Sequence, residues 1–178
     1  MEVSAPQFLT GFKCRPARED EDHLRMEIIG DLACDILLGE SSPLYLRLYD
    51  QGLINTSFGG AFETMPGIAY LYAGGDSKDA RAVTAEIVKE ARRLCEEGID
   101  EDFYQRLKRA AYGDNLRGLN SFETIAVSVA EGCFNGFDYY DFPEVFASIT
   151  KADIEQFLRE NITEERTASV ILYPKEEY

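Results

Sequence analysis

The stretch that decides the fold of this chain is a break between two helices, where residues 39–45 read GESSPLY and residues 52–55 read GLIN. Ser42 followed by Pro43 is typical of a helix start. A serine hydroxyl caps free backbone amides there, and proline fits the first helical turn. The leucines that follow share one side of a short helix, and Gly52 favours its end. The break therefore predicts a short second helix, with one side facing the core.

A longer helix precedes this break, and a hairpin follows it. Apolar residues spaced by four form one stripe, namely Leu24, Ile28, Leu32 and Ile36. That spacing predicts an amphipathic helix that begins after an acidic run at 19–22 and ends near Gly39. Residues 56–64 and 68–73 carry aromatic and β-branched side chains around a turn at 65–67, which predicts an antiparallel hairpin.

The rest of the chain continues as helices and closes with a strand. Capping residues predict four further helices that begin near Asp76, Asp100, Asn120 and Thr150. Residues 132–142, rich in glycine and aromatic side chains, are interpreted as a connector. Short apolar runs at 8–13 and 167–173 predict the first and last strands. The predicted class is α+β, with an antiparallel or mixed sheet and helices layered on one face, in a single domain spanning residues 1–178.

Charge and composition exclude several classes of function. The 178 residues include 33 acidic and 18 basic side chains, a formal net charge of −15, which disfavours binding to nucleic acid or to anionic membranes. The amino terminus has no signal-peptide pattern, and no apolar run is long enough to span a bilayer. The sequence therefore predicts a cytoplasmic protein with no nucleic-acid or membrane partner.

The residues needed for a metal centre or a nucleophilic site are scarce. His23 is the single histidine, and the four cysteines, Cys14, Cys34, Cys95 and Cys133, form no Cys-x-x-Cys pair. A hydrolytic zinc needs at least three protein ligands, and a serine or cysteine nucleophile needs a nearby base. We therefore expect no catalytic residue and no metal in this chain. The aromatic residues between Phe134 and Phe142 favour packing onto the core, with a binding wall as the alternative.

Three stretches, taken in order, resemble the insulinase-type zinc metallopeptidases, the family that includes pitrilysin and the mitochondrial processing peptidase. The family's second half commonly has a Gly-Gly-Ser-Ser-Arg-Leu-Phe loop, a helix and then Gly-Leu-x-Tyr, and residues 39–53 are similar to that passage. Residues 98–103 resemble its glycine followed by an acid-capped helix. Residues 150–154, before the final strand, resemble its close. The chain is thus identified as similar to the C-terminal, non-catalytic half of a bacterial zinc protease.

The resemblance implies two α+β halves that face one another as a clam. Zinc would lie in the N-terminal half, and this half would close over a peptide substrate. The expected partners are that N-terminal catalytic half and the peptide, with homo- or hetero-oligomerisation left open. The family's second half often offers an arginine and a tyrosine to the substrate. Here Leu48 holds the first position with Arg47 one residue early, and Asn55 holds the second. Arg47, Tyr49 and Asn55 are the substrate-binding candidates.

The resemblance also predicts a surface for the missing half. Residues 137–142 are the first candidate, and the hairpin around Phe58 and Phe62 is the second. The start at Met1, directly before a strand, is interpreted as a fragment boundary. The parent protein would then be a zinc metallopeptidase or an inactive homologue of one, while this chain alone would cleave nothing. The alternative is a freestanding acidic α+β module that binds a basic protein partner without enzymatic activity.

Overall fold

The computed structural model describes residues 5–17 and 22–174. Within them are four strands, β1 (Gln7–Cys14), β2 (Gly59–Met65), β3 (Ile68–Asp76) and β4 (Thr167–Leu172). The helices are α1 (His23–Leu38), α2 (Pro43–Asp50), α3 (Ala80–Glu97), α4 (Glu101–Gly118), α5 (Phe122–Asn135), α6 (Phe142–Ser148) and α7 (Lys151–Asn161). Two 3-10 turns, Tyr139–Asp141 and Glu164–Arg166, precede α6 and β4.

The strands form one antiparallel sheet in the order β2-β3-β1-β4. The predicted hairpin supplies β2 and β3, and β1 lies between β3 and the last strand. Leu9 is opposite Gly74 of β3 and Val170 of β4, which fixes the register across the centre of the sheet. The α+β class is confirmed, and the sheet among the described residues is antiparallel.

Helices cover one face of this sheet and enclose the core. Phe12 and Leu71 point from neighbouring strands into that layer and are fully buried. The stripe predicted for α1 is buried along its length, and the predicted apolar face of α3 is buried as well. Gly30 lets α1 approach the sheet closely, because a Cβ at this position would lie 2.2 Å from Cδ1 of Phe62. The helical layer is therefore seated directly on the edge strand β2.

The predicted helix starts are mostly confirmed. Ser42 accepts a hydrogen bond from the Tyr45 amide, Asp100 caps α4, and Thr150 opens α7 with a capping box. Two starts were wrong by a few residues. Asp79, not Asp76, caps α3, because residues 74–76 continue β3 and pair with β1. Ser121, one residue after the predicted cap, supplies the hydroxyl for α5. Most of the acidic run at 19–22 lies outside the described residues, but Asp22 caps α1.

The predicted connector at 132–142 was wrong at its ends, and residues 136–141 join the two helices there. Helix α5 extends to Asn135 and ends at Gly136, which has a left-handed φ of 80°, and α6 begins at Phe142. Aromatic side chains obscured these boundaries, since they fit a helix, a strand or a buried loop equally well. The Tyr139 and Phe142 rings are buried and lie 5.5 Å apart between centroids. Core packing, the favoured reading of the aromatic residues, is confirmed for this pair.

Candidate functional site: the open face of the sheet

Arg47 is held by carboxylates of the neighbouring helix. Its Nη2 lies 3.0 Å from Oε2 of Glu90 and 3.3 Å from Oε2 of Glu86, both on α3. Burial would raise the pKa of Glu90, but hydrogen bonds from Arg93 and Arg47 outweigh it and lower the pKa. Glu90 is therefore a buried, paired carboxylate, and Arg47 ties α2 to α3. A role for Arg47 toward a substrate stays a prediction, and it would have to coexist with these ion pairs.

The other two candidates lie at and beyond the end of α2. Tyr49 is 49% exposed, and its ring stacks on Tyr45 with 6.0 Å between centroids. Asn55 accepts from the Ser57 amide at 2.8 Å and donates from Nδ2 to Oδ2 of Asp76 at 3.2 Å. This donation is the main cause of a lowered pKa at Asp76. Asn55 thus stabilises the loop before β2, while the Tyr49 ring remains accessible. Substrate contact stays a prediction for both.

The described residues do not fit a catalytic zinc. None of their histidine, cysteine, aspartate and glutamate side chains gather in a group of three or more that could hold a metal ion. His23 is the first residue of α1, and the four cysteines are free. No step of a hydrolytic mechanism is therefore assigned to zinc in this part of the protein.

The sheet has a second face, which no helix of the described chain covers. Side chains alternate along each strand, so those that point away from the core share this surface. Its large apolar members are Leu9, Met65, Ile68, Tyr70, Tyr72, Val170 and Leu172. Leu9, Val170 and Leu172 are 53%, 64% and 52% exposed. We call this surface the open face.

Small residues give the open face a shallow centre. Gly11 is opposite Tyr72 on one side and Ala168 on the other, and Gly59 is opposite Gly74. A Cβ built at Gly11 or at Gly59 would meet no atom within 4 Å. Glycine weakens a strand interior, and a glycine with open space above it is a place where another backbone can approach closely. The open face thus has apolar edges around a low strip formed by Gly11, Ala168, Gly59 and Gly74, which the surface of another domain could fill.

Charge is nearly absent from the centre of the open face. Glu63 and Lys13 point outward on either side of Tyr70, as the register across the strands requires. The remaining outward positions are apolar, aromatic, small or uncharged, apart from Asp76 at one end. In a protein of net charge −15, this makes the open face unlike the rest of the surface. Contiguous exposed apolar patches of this kind mark interaction sites.

The surface that meets the missing half stays a prediction, but several residues of the two candidate surfaces lie in the core. Phe58 and Phe62 are 4% and 7% exposed, so these two side chains belong to the core. Tyr139 and Phe142 of the segment at 137–142 are buried as well, whereas Tyr140 is 55% exposed. A signal for the open face is present in β3, where residues 68–73 read IAYLYA without a polar alternation. Such a run is typical of a strand covered on both faces, and helices cover one face here. The run in β3 therefore indicates that a second layer covers the other face of this strand.

Comparison with known proteins identifies the family. The model of the peptidase M16 inactive domain matches residues 1–111. The uncharacterised zinc protease YmfH of Bacillus subtilis (strain 168) is 27% identical over 176 residues, which are 98% of this chain and 41% of that protein. The chain thus spans less than half the length of this relative.

Solved structures share the fold. A protein from Alicyclobacillus acidocaldarius, described as an M16-like peptidase, superposes with a TM-score of 0.87 at 21% identity, over 98% of this chain and 42% of that one. A protease from Helicobacter pylori gives a TM-score of 0.79 at 20% identity, over 97% and 42%. None of the described helices is both long and apolar enough to cross a membrane. By its family match, this chain belongs to the peptidase M16 inactive domain family.

Proposed function

We propose that this chain is the substrate-enclosing, structural half of a zinc-dependent peptidase, and that it docks through its open face onto the N-terminal half of the same protein. The observation that carries the proposal is the bare apolar sheet surface around Gly11. The relative YmfH, more than twice as long, leaves room for a second half. In this proposal the N-terminal half supplies zinc and the hydrolytic residues, and the assembly acts on peptides in the cytoplasm.

The physical reason for docking is removal of apolar surface from water. Each exposed apolar side chain that becomes covered contributes roughly 25 cal/mol per Å² of buried area. Leu9, Val170 and Leu172 form one continuous group across β1 and β4, since Leu9 is opposite Val170 and Leu172 is opposite Gln7. A partner that covers this group would also close the low strip at Gly11. The enclosed peptide would then lie between the two halves, with Tyr49 and Asn55 as candidate contacts.

The test is a substitution that blocks the open face without disturbing the domain. Gly11→Glu places a charged side chain in the centre of the low strip, where its Cβ meets no other atom. Gly113→Glu in α4 is the matched control, because its Cβ would meet only a tip atom of Arg117 at 3.9 Å. Calorimetric titration with the separately produced N-terminal half should show binding by wild type and by the control, and at least a tenfold weaker affinity for Gly11→Glu.

The same pair of variants tests activity in the full-length protein. Gly11→Glu should lower zinc-dependent peptide cleavage, and Gly113→Glu should leave it unchanged. Wild-type affinity of Gly11→Glu for the N-terminal half would remove the open face as the docking surface. If wild type fails to bind that half at all, the freestanding acidic module becomes the better account of this chain.

A further inference from the structure

Helix α5 is apolar but largely uncovered. Of its fourteen residues, Gly132 is the buried one, while Phe134 is 86% exposed and Val127 is 52% exposed. Ile125 and Val129 are partly buried, and Val129 packs against the core. Val127, Ala130 and Phe134 are spaced by three and four residues, so they share one side of the helix. We call this side the α5 face, and the described residues leave it without a partner.

Glu131, four residues after Val127, borders the α5 face and is exposed. Glu131 of α5 is close enough to Glu27 of α1 that its charge helps to raise the pKa of Glu27, after the larger effect of burial and together with Glu63. Asp31, one turn further along α1, has an exposed outer surface, yet its pKa is raised to about 7. Partial burial is the main cause, and the charges of Glu27, Asp35 and Glu63 add to it.

In the part of the chain that the structure describes, no ion pair balances these carboxylates. Among the described residues, the ion pairs of α1, α3, α4 and α7 involve other acidic groups, and none includes Glu27, Asp31, Glu63 or Glu131. Helix α5 itself has no lysine or arginine. Unbalanced like charges raise one another's energy, and a cation placed among them would lower it. The negative field therefore favours a positively charged ligand beside the apolar α5 face.

We propose that the α5 face and the carboxylates beside it bind a cationic amphipathic segment of a partner protein. Its apolar side chains would cover Val127 and Phe134, and its lysine or arginine side chains would lie against Glu131, Glu27 and Asp31. A second copy of this chain is disfavoured, since it would bring the same carboxylates and a net charge of −15 to the contact. The α5 face itself is distinct from the open face, because α5 contacts the Tyr139–Asp141 turn, whereas Glu63 belongs to β2 and points outward on the open face.

The probe is a fluorescein-labelled helical peptide of 18 residues, with leucine on one side and lysine on the other. The matched probe carries glutamate in place of lysine. Fluorescence anisotropy with the chain should show saturable binding of the lysine peptide and at least tenfold weaker binding of the glutamate peptide. Raising the salt concentration from 50 to 500 mM should weaken the lysine complex by about tenfold, since salt screens partly exposed charges.

Variants locate the contact. Phe134→Glu and the double change Glu131→Gln with Asp31→Asn should each weaken binding of the lysine peptide by at least fivefold. Val170→Glu on the open face and Glu165→Gln at the far edge of the sheet are the controls, and both should bind as wild type. All five positions are exposed, and circular dichroism checks that each variant is folded.

Three outcomes would overturn the proposal. They are equal affinity for the two peptides, unchanged binding by Phe134→Glu, and a wild-type dimer in sedimentation that Phe134→Glu dissociates. The last outcome would assign the α5 face to a second copy of the chain.

Discussion

Gly30→Ala should destabilise the protein, although alanine is the better helix former. In a helix interior, alanine is favoured over glycine by about 1 kcal/mol. At Gly30 the added Cβ would lie 2.2 to 2.5 Å from three ring atoms of Phe62. That ring is 7% exposed and packs edge-on against Phe157, with 5.4 Å between centroids, so it has little room to move. Overpacking of a core costs about 1–3 kcal/mol, and contacts this short point to the upper end.

The expected net loss is therefore about 1–2 kcal/mol of unfolding free energy, after the helix-propensity gain is subtracted. Gly113→Ala is the matched control, since its Cβ would meet only the tip of Arg117 at an ordinary contact distance, and it should gain about 0.5–1 kcal/mol. Urea denaturation of both variants measures whether the free energy of unfolding falls for Gly30→Ala and rises for Gly113→Ala. In a protein that already carries Phe62→Leu, Gly30→Ala should lower the free energy of unfolding by less than it does in wild type. A Gly30→Ala variant as stable as wild type would refute the close seating of α1 on β2.

Three further predictions concern the core, the pH dependence and the thiols. Leu32→Ala and Ile87→Ala remove fully buried side chains and should each cost about 2–5 kcal/mol in denaturant titrations; losses below about 1 kcal/mol would contradict their place in the core. Folding raises the pKa of Asp31 from 3.8 to about 7. Between these two pH values the folded form holds a proton that the unfolded form has released, so the free energy of unfolding falls as the pH rises through this range. Asp31→Asn should therefore stabilise the protein near pH 8 and much less near pH 4, and an equal effect at both would contradict this. Iodoacetamide should modify exposed Cys133 well before buried Cys14, whose pKa burial raises to about 12, and mass spectrometry of the native protein gives the order.

Local signals predicted most of the fold. Ser42, Asp100 and the Thr150 capping box each fixed a helix start, because a cap is a contact between residues close in sequence. The Leu32 stripe and the hairpin turn at 65–67 are local in the same sense, so their placement was confirmed. Pairing of β1 with β4 joins residues more than 150 positions apart. The sequence predicted both strands and a shared sheet but not this pairing, since no local pattern specifies a strand's partner.

The open face was harder to predict, because exposure depends on the whole fold. Phe62 and Val170 are both apolar strand residues, and their sequence neighbours do not show which of them faces the helical layer. In the structure Phe62 packs beneath Gly30, while Val170 is opposite Leu9 on the open face. Arg47 was nominated by its position near a family motif, but its ion pairs with Glu86 and Glu90 depend on how α2 lies against α3. Such contacts become visible only once the helices are packed.

The open face is proposed as the surface by which this domain joins its other half. The most direct measurement is methyl NMR of this chain, isotope-labelled, with cross-saturation from the unlabelled N-terminal half. We predict that saturation reaches the methyl groups of Leu9, Val170 and Leu172, while those of exposed Leu116 and Val127, on the helical layer, are unaffected. Saturation confined to Leu116 and Val127, with the strand methyl groups unchanged, would contradict the account.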